Sequence, residues 1–187
     1  MMKQLIHATV AFMLLSLQAD AQSRFFTKTG RIKFDATVPK SPEAIAGVNN
    51  AVICVMDTKN GNIQFSAVMK SFEFKAALME EHFNENYVES NKFPKAEFRG
   101  SVTNNNTVDY AKDGSYKVKV KGNLTMHGET KEVETDGEII VRGEILEAKA
   151  TFTAALSDYK VKVPQLVADK VSQTAKIIVE CSLQPLK

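Results

Sequence analysis

A regular alternation of apolar and polar residues runs through most of this chain and constrains its fold more than any other feature. In an early example, Ile32, Phe34, Ala36 and Val38 alternate with charged or polar neighbours. Successive side chains of a β-strand point to opposite faces of its sheet, so this period predicts strands with one apolar face. The pattern recurs in residues 63–69, 96–102, 116–124, 133–141, 146–154 and 175–183, while residues 51–56 are apolar on both faces. We therefore predict an all-β fold of about eight strands.

Turn signals separate these strands and indicate that neighbours in the sequence are joined directly. Asn60-Gly61 and Asp113-Gly114 are dipeptides that favour two-residue hairpins, and His127-Gly128 and Arg142-Gly143 also indicate turns. Antiparallel strands with a single apolar face must close on themselves or stack as two sheets. The chain shows no repeat or linker that would divide it, so we predict one domain.

One amphipathic helix interrupts the strands. Its apolar residues recur at spacings of three and four, and they are Phe72, Ala76, Met79, Phe83 and Tyr87. This spacing predicts a helix of about three turns that starts near Lys75 and ends before Pro94. The apolar stripe needs a surface to cover, and the open mouth of a barrel is the expected one. A second, short helical turn is predicted after Pro164, through Asp169.

The first 21 residues have the features of a targeting segment. Lys3 precedes a mostly apolar run from Leu5 to Leu17, and Ala19-Asp20-Ala21 fits the small-x-small rule for signal peptidase. The apolar run is too short for a permanent membrane-spanning helix. We therefore predict cleavage after Ala21, export to the periplasm or out of the cell, and one mature domain over residues 22–187 without stable membrane insertion.

Charge and motif content narrow the function. The net charge is only +2 and the lysines are scattered, which argues against a nucleic-acid partner. No nucleophile elbow, phosphate loop, paired-carboxylate motif or metal-ligand spacing is present, so we expect binding rather than catalysis, with no metal. His82 is expected on the polar flank of the helix. His127 lies in a predicted turn, where a turn-stabilising hydrogen bond is favoured over catalysis.

Two cysteines, Cys54 and Cys181, lie far apart in the sequence, each within an apolar strand pattern. In an oxidising compartment they could form one disulfide between an early strand and the last one. Alternatively, each is a free thiol that packs as a small hydrophobic side chain. Pairing requires Cα atoms within about 7 Å, a distance that sequence does not give.

Two motifs resemble hallmarks of the YceI family. The stretch HFNENYVESNKFPKAEFRG, residues 82–100, is similar to a family segment with a helix, an aromatic-proline pair and a phenylalanine on the next strand, here Phe93-Pro94 and Phe98. The stretch GNLTMHGETKEV, residues 122–133, matches the family hairpin G-x-L-T-x-H-G-x-T-K. The similarity extends from Arg24 to Leu183. It implies an exported, lipocalin-like eight-stranded barrel that holds a polyisoprenoid or quinone-like lipid in its lumen.

The inward-facing residues support a lumen with space in it. Eight strands give an interior that either packs with side chains or admits one ligand. Several inward positions are alanine, which leaves room, and a buried prenyl tail would gain roughly 0.8 kcal/mol per methylene-sized group. Phe93 either anchors the helix or touches the ligand. The predicted ligand-binding residues are Phe34, Ile63, Phe65, Ala67, Met69, Met79, Phe83, Tyr87, Phe93, Phe98, Val118, Leu124, Ala150 and Phe152.

These features leave two main hypotheses for the function. The first is a lipid-binding or carrier protein whose only bound group is an isoprenoid-type lipid. The second is a structural or stress-protective periplasmic protein with a filled core and no lumenal ligand. A lipocalin-like enzyme acting on a hydrophobic substrate is a third, weaker one. The oligomeric state, monomer or dimer, is left open.

Overall fold

The fold, described by a computed structural model, is built mainly from β-strands. Residues 23–186 are described, so the predicted targeting segment lies outside the described residues. Among residues 23–186 there is a single α-helix, α1 (Ala77–His82), and it continues directly into a π-helix, Phe83–Tyr87. The strands are β1 (Arg24–Thr37), β2 (Ala46–Asp57), β3 (Asn62–Val68), β4 (Glu73–Phe74), β5 (Lys95–Val102), β6 (Gly114–Met126), β7 (Glu129–Arg142), β8 (Ile145–Ala155) and β9 (Val171–Pro185).

Eight of these strands close into an antiparallel ring. Its order is β1, β9, β8, β7, β6, β5, β3, β2, and β2 pairs with β1 to complete it. The short β4 pairs with β2 outside this ring, where Phe74 lies opposite Gly47. The predicted all-β, eight-stranded antiparallel barrel is therefore confirmed. Alternation made this fold predictable because each strand presents one apolar face to the interior.

The antiparallel order sorts the connections into two ends of the barrel, which we call the upper and lower ends. The two longest connections, residues 69–94 and 156–170, lie at the upper end, whereas the first residue of β1 and the last residue of β9 lie at the lower end. The upper end therefore has enough chain to cover the barrel mouth. Its connections are residues 38–45, 69–94, 127–128 and 156–170, and those of the lower end are residues 58–61, 103–113 and 143–144.

Two-residue turns occur, but not where their sequence signals are strongest. Met126 pairs with Glu129, which leaves His127-Gly128 as the turn, with φ angles of 52° and 79°. This is the left-handed region that a tight hairpin turn of this kind requires. A second two-residue turn, at residues 143–144, joins β7 to β8.

The expected two-residue hairpins at Asn60-Gly61 and Asp113-Gly114 are wrong. The first dipeptide belongs to a longer loop, because Asp57 and Asn62 are the last paired residues of β2 and β3. The second lies where β6 begins, at the end of a connection that runs from residue 103 to residue 113. The carboxylate of Asp113 instead accepts a hydrogen bond of 2.8 Å from the Gly143 amide, so this aspartate ties two lower loops together.

The helical segment begins later than its sequence predicts. Residues 73–74 pair with β2 as β4, so the chain is still extended there and α1 starts at Ala77 rather than near Lys75. The π-helical part has the hydrogen bond from Val88 N to Phe83 O, at 3.0 Å. This wider turn places Phe83 in the interior.

Side chains fill the lower half of the barrel. A cluster of buried apolar residues from seven of the eight ring strands packs there, the half-buried Phe25 and Ile32 of β1 pack against it, and the connection over residues 103–113 lies below it. Tyr110 packs against this cluster and donates a hydrogen bond of 2.6 Å to Asn105, and burial raises the pKa of Tyr110. The amide of Asn105 in turn donates to Thr58 O at 2.8 Å. The lower end is therefore closed.

Candidate ligand-binding cavity

The upper half of the barrel contains a cavity of about 390 Å³. This volume lies within the range of roughly 300 to 1,000 Å³ that is typical of small-molecule sites. Its floor consists of apolar side chains that also belong to the packed lower half, among them Ile63, Val118, Ile139 and Val179. Side chains thus fill the lower half of the lumen, and the upper half contains the cavity.

Small side chains on the strands create this space. Ala67 on β3 and Ala96 on β5 pair with each other, and Ala148, Ala150 and Ala154 follow one another along the inner face of β8. Each alanine leaves volume that a larger inward residue would occupy. Ala36, also expected to leave room in the lumen, is completely buried in a neighbouring cluster instead.

The structure brings almost all the predicted ligand-binding residues to this cavity. The cavity is lined by Phe34, Ile63, Phe65, Ala67, Met69, Met79, Phe83, Tyr87, Phe98, Val118, Leu124, Ala150 and Phe152. Phe93 is the exception, because its ring packs on His127 outside the cavity, at a centroid distance of 4.7 Å. Of its two proposed roles, the geometry therefore supports anchoring. Ligand contact by the other residues stays a prediction.

The connection between β3 and β5, residues 69–94, forms the first cover segment over the mouth. Its centre is Phe83, whose ring lies 4.8 Å from that of Phe74, 5.5 Å from Phe72 and 5.7 Å from Phe34 on β1. The contacts with Phe72 and Phe74 pack the segment together, and the contact with Phe34 holds it against the barrel wall. Met79, Tyr87 and other apolar side chains of the segment face the cavity, as the helical stripe predicted.

The connection between β8 and β9, residues 156–170, forms the second cover segment. Leu156 and Val161 are buried and line the cavity together with the half-buried Val167. Sequence reasoning missed these three residues. The segment has no sustained helical or strand period, so its only usable signal was the recurrence of valine at 161 and 163.

Polar side chains contact the cavity at its edge and along part of its wall. Glu43 and Lys170 lie in connections of the upper end, and the exposed His82 lies at the end of α1. The predicted exposure of His82 agrees with the structure, although this side chain also borders the cavity. Thr135 and Glu138 of β7 and Lys149 of β8 also reach the cavity from the wall. The remaining lining side chains are aliphatic or aromatic, which suits a hydrocarbon chain rather than a charged group.

One part of the wall lacks a continuous ladder of backbone hydrogen bonds. The pairing of β7 with β8 ends at Gly137 and Ala150, so residues 129–136 of β7 pair only with β6. We call this stretch the seam. The hydroxyl of Thr135 crosses the seam to Thr151 O at 3.1 Å, and Thr135 and Phe152 line the cavity there.

The side chain of His127 joins the two cover segments. Its Nε2 lies 2.7 Å from a carboxylate oxygen of Glu89 in the first segment, and its Nδ1 lies 2.8 Å from the backbone oxygen of Tyr159 in the second. Phe93 packs edge-on against the ring. The hydrogen bonds of the ring thus run to both segments and not within the turn, where the sequence analysis expected one, and we call this arrangement the His127 clasp.

Neither a membrane-crossing helix nor a metal-type cluster occurs in the described part of the chain. No helix within residues 23–186 is long and apolar enough to cross a membrane. Over the same residues, no group of three or more histidine, cysteine, aspartate or glutamate side chains is placed to hold a metal ion.

Comparison with known proteins points to one family. The family profile described as "YceI-like domain" matches residues 5–183. A sequence comparison with curated proteins finds no match. Among solved structures, a polyisoprenoid binding domain from Saccharophagus degradans, implicated in plant cell wall breakdown, has a TM-score of 0.74 at 13% identity, over 88% of this chain and 99% of that one.

Two further structures have the same fold. Burkholderia cenocepacia BcnA has a TM-score of 0.66 at 14% identity, over 82% of this chain and 95% of its own. A Campylobacter jejuni YceI protein has a TM-score of 0.61 at 15% identity, over 80% of this chain and 90% of its own. At such low identity these likenesses establish the fold of the barrel.

Proposed function

This chain belongs to the YceI-like domain family, and from that premise we propose that it binds an apolar lipid of the polyisoprenoid or quinone type in the upper cavity. The observation that carries the proposal is the apolar cavity of about 390 Å³, closed below and bordered by polar groups at its edge. A hydrocarbon tail gains free energy by leaving water for such a surface. The polyisoprenoid binding domain of similar fold supports this ligand class.

The cavity also weighs against the main alternative. A structural protein with a filled core would need no row of alanines along β8 and no covered space above them. Lining side chains such as Ala67 and Ala150 could be larger without disturbing the lower core. The lack of a convergent catalytic group among the residues that line the cavity favours binding over an enzymatic reaction.

Direct binding tests the proposal. Purified protein is titrated with the fluorescent apolar probe 1-N-phenylnaphthylamine, and geranylgeraniol is then added as a competitor. We expect saturable fluorescence that the prenyl alcohol displaces. Organic extraction and native mass spectrometry of protein from a bacterial host should also detect a co-purifying prenyl lipid. Absence of both probe binding and bound lipid would refute the proposal.

Cavity-filling variants locate the site. Ala67→Phe and Ala150→Phe place a large ring in the cavity, so each should abolish probe binding while the barrel remains folded. Ala51→Phe is the matched control, because Ala51 is exposed on β2 outside the cavity. Circular dichroism monitors folding in all three variants. Unchanged binding by both cavity variants would show that the lumen is not the site.

We further propose that the protein is exported and processed after Ala21. The apolar run and the Ala19-Asp20-Ala21 sequence support this proposal. Mass spectrometry of protein from the periplasm of a bacterial host should give a mature chain that starts at Gln22. Recovery of only the unprocessed chain from the cytoplasm would contradict it, and Ala19→Arg is expected to block cleavage.

A further inference from the structure

We infer that His127 is a positioning residue of the ligand site, which as an imidazolium fastens the two cover segments together and slows release of the bound lipid. The inference rests on the proposed lipid binding and adds control of ligand exchange to it. It depends on three features of the structure: the acceptors around the ring, the position of the clasp beside the cavity, and the backbone conformation of the joined loops.

The first feature is that both ring nitrogens of His127 face oxygen acceptors. Tyr159 O is a backbone carbonyl, and Glu89 presents a carboxylate oxygen. A neutral imidazole has one N–H and can donate to only one of them, whereas the imidazolium donates to both. The side chain is only 9% exposed, so water replaces these partners poorly. The full clasp therefore requires the protonated ring.

The second feature is that each partner adjoins the cavity wall. Glu89 follows Val88, a buried residue that lines the cavity. Tyr159 lies between the lining residues Leu156 and Val161, and its own side chain is buried. Separation of either cover segment from His127 would therefore move the wall that contacts the ligand. The clasp links these segments to the hairpin turn between β6 and β7, two strands that are paired along the whole length of β6.

The third feature is an unusual backbone at each joined loop. His127, Glu89 and Lys160, which follows Tyr159, have φ angles of 52°, 44° and 54°. Residues other than glycine rarely adopt this left-handed region, and surrounding contacts must hold them there. Three of the four such residues in the described chain thus meet at one clasp. Without its hydrogen bonds, the loops can relax away from the barrel.

Several other charged side chains lie on the loops and strands around the clasp. Glu129 follows the hairpin turn and forms an ion pair with Lys160, whose hydrogen bond lowers the pKa of Glu129. Glu89 is the acid in direct contact with the ring. The titratable or charged groups around His127 are Glu89 and Lys92 of the first cover segment, Glu129 and Lys131 of β7, and Asp158, Tyr159 and Lys160 of the second cover segment.

The release rate of a bound probe tests the inference. Protein loaded with 1-N-phenylnaphthylamine is mixed with excess phospholipid vesicles, and the fluorescence decay is followed by stopped flow. Asparagine tolerates a positive φ, so His127→Asn keeps the turn, but the shorter side chain cannot bond Glu89 and Tyr159 O at the same time. Glu89→Gln replaces the charged acceptor with a neutral one. Each should accelerate release about tenfold, and the double variant should add little more. Unchanged release in both single variants would overturn the inference.

The matched control is Lys160→Gln. It breaks an ion pair between the same hairpin and the same second cover segment, but the Lys160 side chain is 72% exposed. Exposed ion pairs contribute little, so release should stay within about twofold of the wild-type rate. Equal acceleration by Lys160→Gln would mean that any weakening of this region suffices, and it would overturn the specific role of His127.

A pH profile separates the positioning role from a purely structural one. In the wild type, release should be slower in acidic than in alkaline buffer, because only the protonated ring donates to both acceptors. In His127→Asn the rate should be fast and nearly independent of pH. A wild-type profile as flat as that of the variant would overturn the imidazolium clasp.

Hydrogen exchange tests the fastening without any ligand. The amides of Ser90, Phe93 and Val161 make hydrogen bonds within the cover segments. They should exchange faster in both His127→Asn and Glu89→Gln, while strand amides keep their protection. If wild-type protein binds no probe but these amides respond, the proposed function fails and the fastening stands. If the probe binds and the amides do not respond, the inference fails by itself.

Discussion

A β-carbon on Gly30 would lie 2.7 Å from the sulfur of Cys181, so this position of β1 has no space for a side chain. Gly30 lies where the pairing of β1 with both β2 and β9 shifts in register. Because Gly30 has no side chain, Cys54 of β2 and Cys181 of β9 can interact across β1. Both thiols are buried, and a hydrogen bond with Cys181 together with burial raises the pKa of the Cys54 thiol well above its ordinary value.

We expect Gly30→Ala to destabilise the barrel by roughly 1 to 3 kcal/mol, because the new methyl group would overlap the Cys181 sulfur and approach the Val52 carbonyl at 2.9 Å. Urea unfolding at equilibrium measures the change. Gly114→Ala is the matched control, since its β-carbon would meet the Tyr116 ring at an ordinary 3.4 Å. Equal unfolding midpoints for the two variants would contradict the close approach.

Both cysteines should resist thiol reagents in the folded protein. Cys54 is 0% and Cys181 is 4% exposed, so a reagent reaches them only after the barrel opens. With the reduced protein, an aromatic disulfide reagent should react slowly in buffer and at once in denaturant. Intact mass spectrometry of protein from an oxidising compartment tests the disulfide left open by the sequence, since a bonded pair is two hydrogens lighter. Rapid labelling of native thiols would contradict their burial.

Two paired glycines leave room for the Phe98 ring against the barrel wall. Gly100 on β5 and Gly122 on β6 lie opposite each other, and a β-carbon on Gly122 would be 2.5 Å from Gly100 Cα and 2.7 Å from the Phe98 ring. We expect Gly122→Ala to cost roughly 1 to 3 kcal/mol and to displace Phe98 into the cavity. Urea unfolding and probe titration should therefore both change. Weakened probe binding with unchanged stability would show that Gly122→Ala acts only by moving the Phe98 ring.

Acid should destabilise the fold through carboxylates whose pKa values are lowered. A hydrogen bond from Lys160 lowers the pKa of Glu129, and one from Ser115 lowers that of Glu138. Partial burial raises the pKa of Asp35, but hydrogen bonds from Thr37 and Lys33 outweigh it, so the net shift is also downward.

A group with a lower pKa in the folded state stabilises the protein above its unfolded pKa and loses that contribution as the pH falls. The Tm should therefore decrease below about pH 5, and the Glu129→Gln, Glu138→Gln double variant should show a shallower decrease. The control is Glu81→Gln, because the exposed Glu81 makes no ion pair within residues 23–186. An identical slope in the double variant would contradict the assignment.

The strands of this barrel and most of its inner surface were predictable from the sequence. A period of two assigns each residue to one face, so the alternation alone placed Phe65, Ala67 and Phe98 on the inner surface. The family motifs added the closure of the sheet, which alternation left open between a barrel and two stacked sheets. Local rules were therefore sufficient where the geometry was regular.

The clasp and the second cover segment were not predictable in the same way. His127 lies 38 residues from Glu89 and 32 from Tyr159, and both contacts depend on loops with positive φ angles. Such conformations follow from tertiary packing and leave no periodic signal. The π-helix has a similar origin, because the helical stripe predicts that Phe83 and Tyr87 face inward but not the wider turn that buries Phe83.

At the seam between β7 and β8, the barrel wall is joined by fewer backbone hydrogen bonds than along the rest of this strand pair. Where neighbouring strands share a full ladder, spreading them would break a row of amide bonds, each worth about 1 kcal/mol in net terms. Beyond Gly137 and Ala150, spreading the wall first separates the Thr135 hydroxyl from Thr151 O. Widening of the wall at this place is therefore expected to cost fewer backbone hydrogen bonds than widening between β6 and β7, whose ladder is continuous.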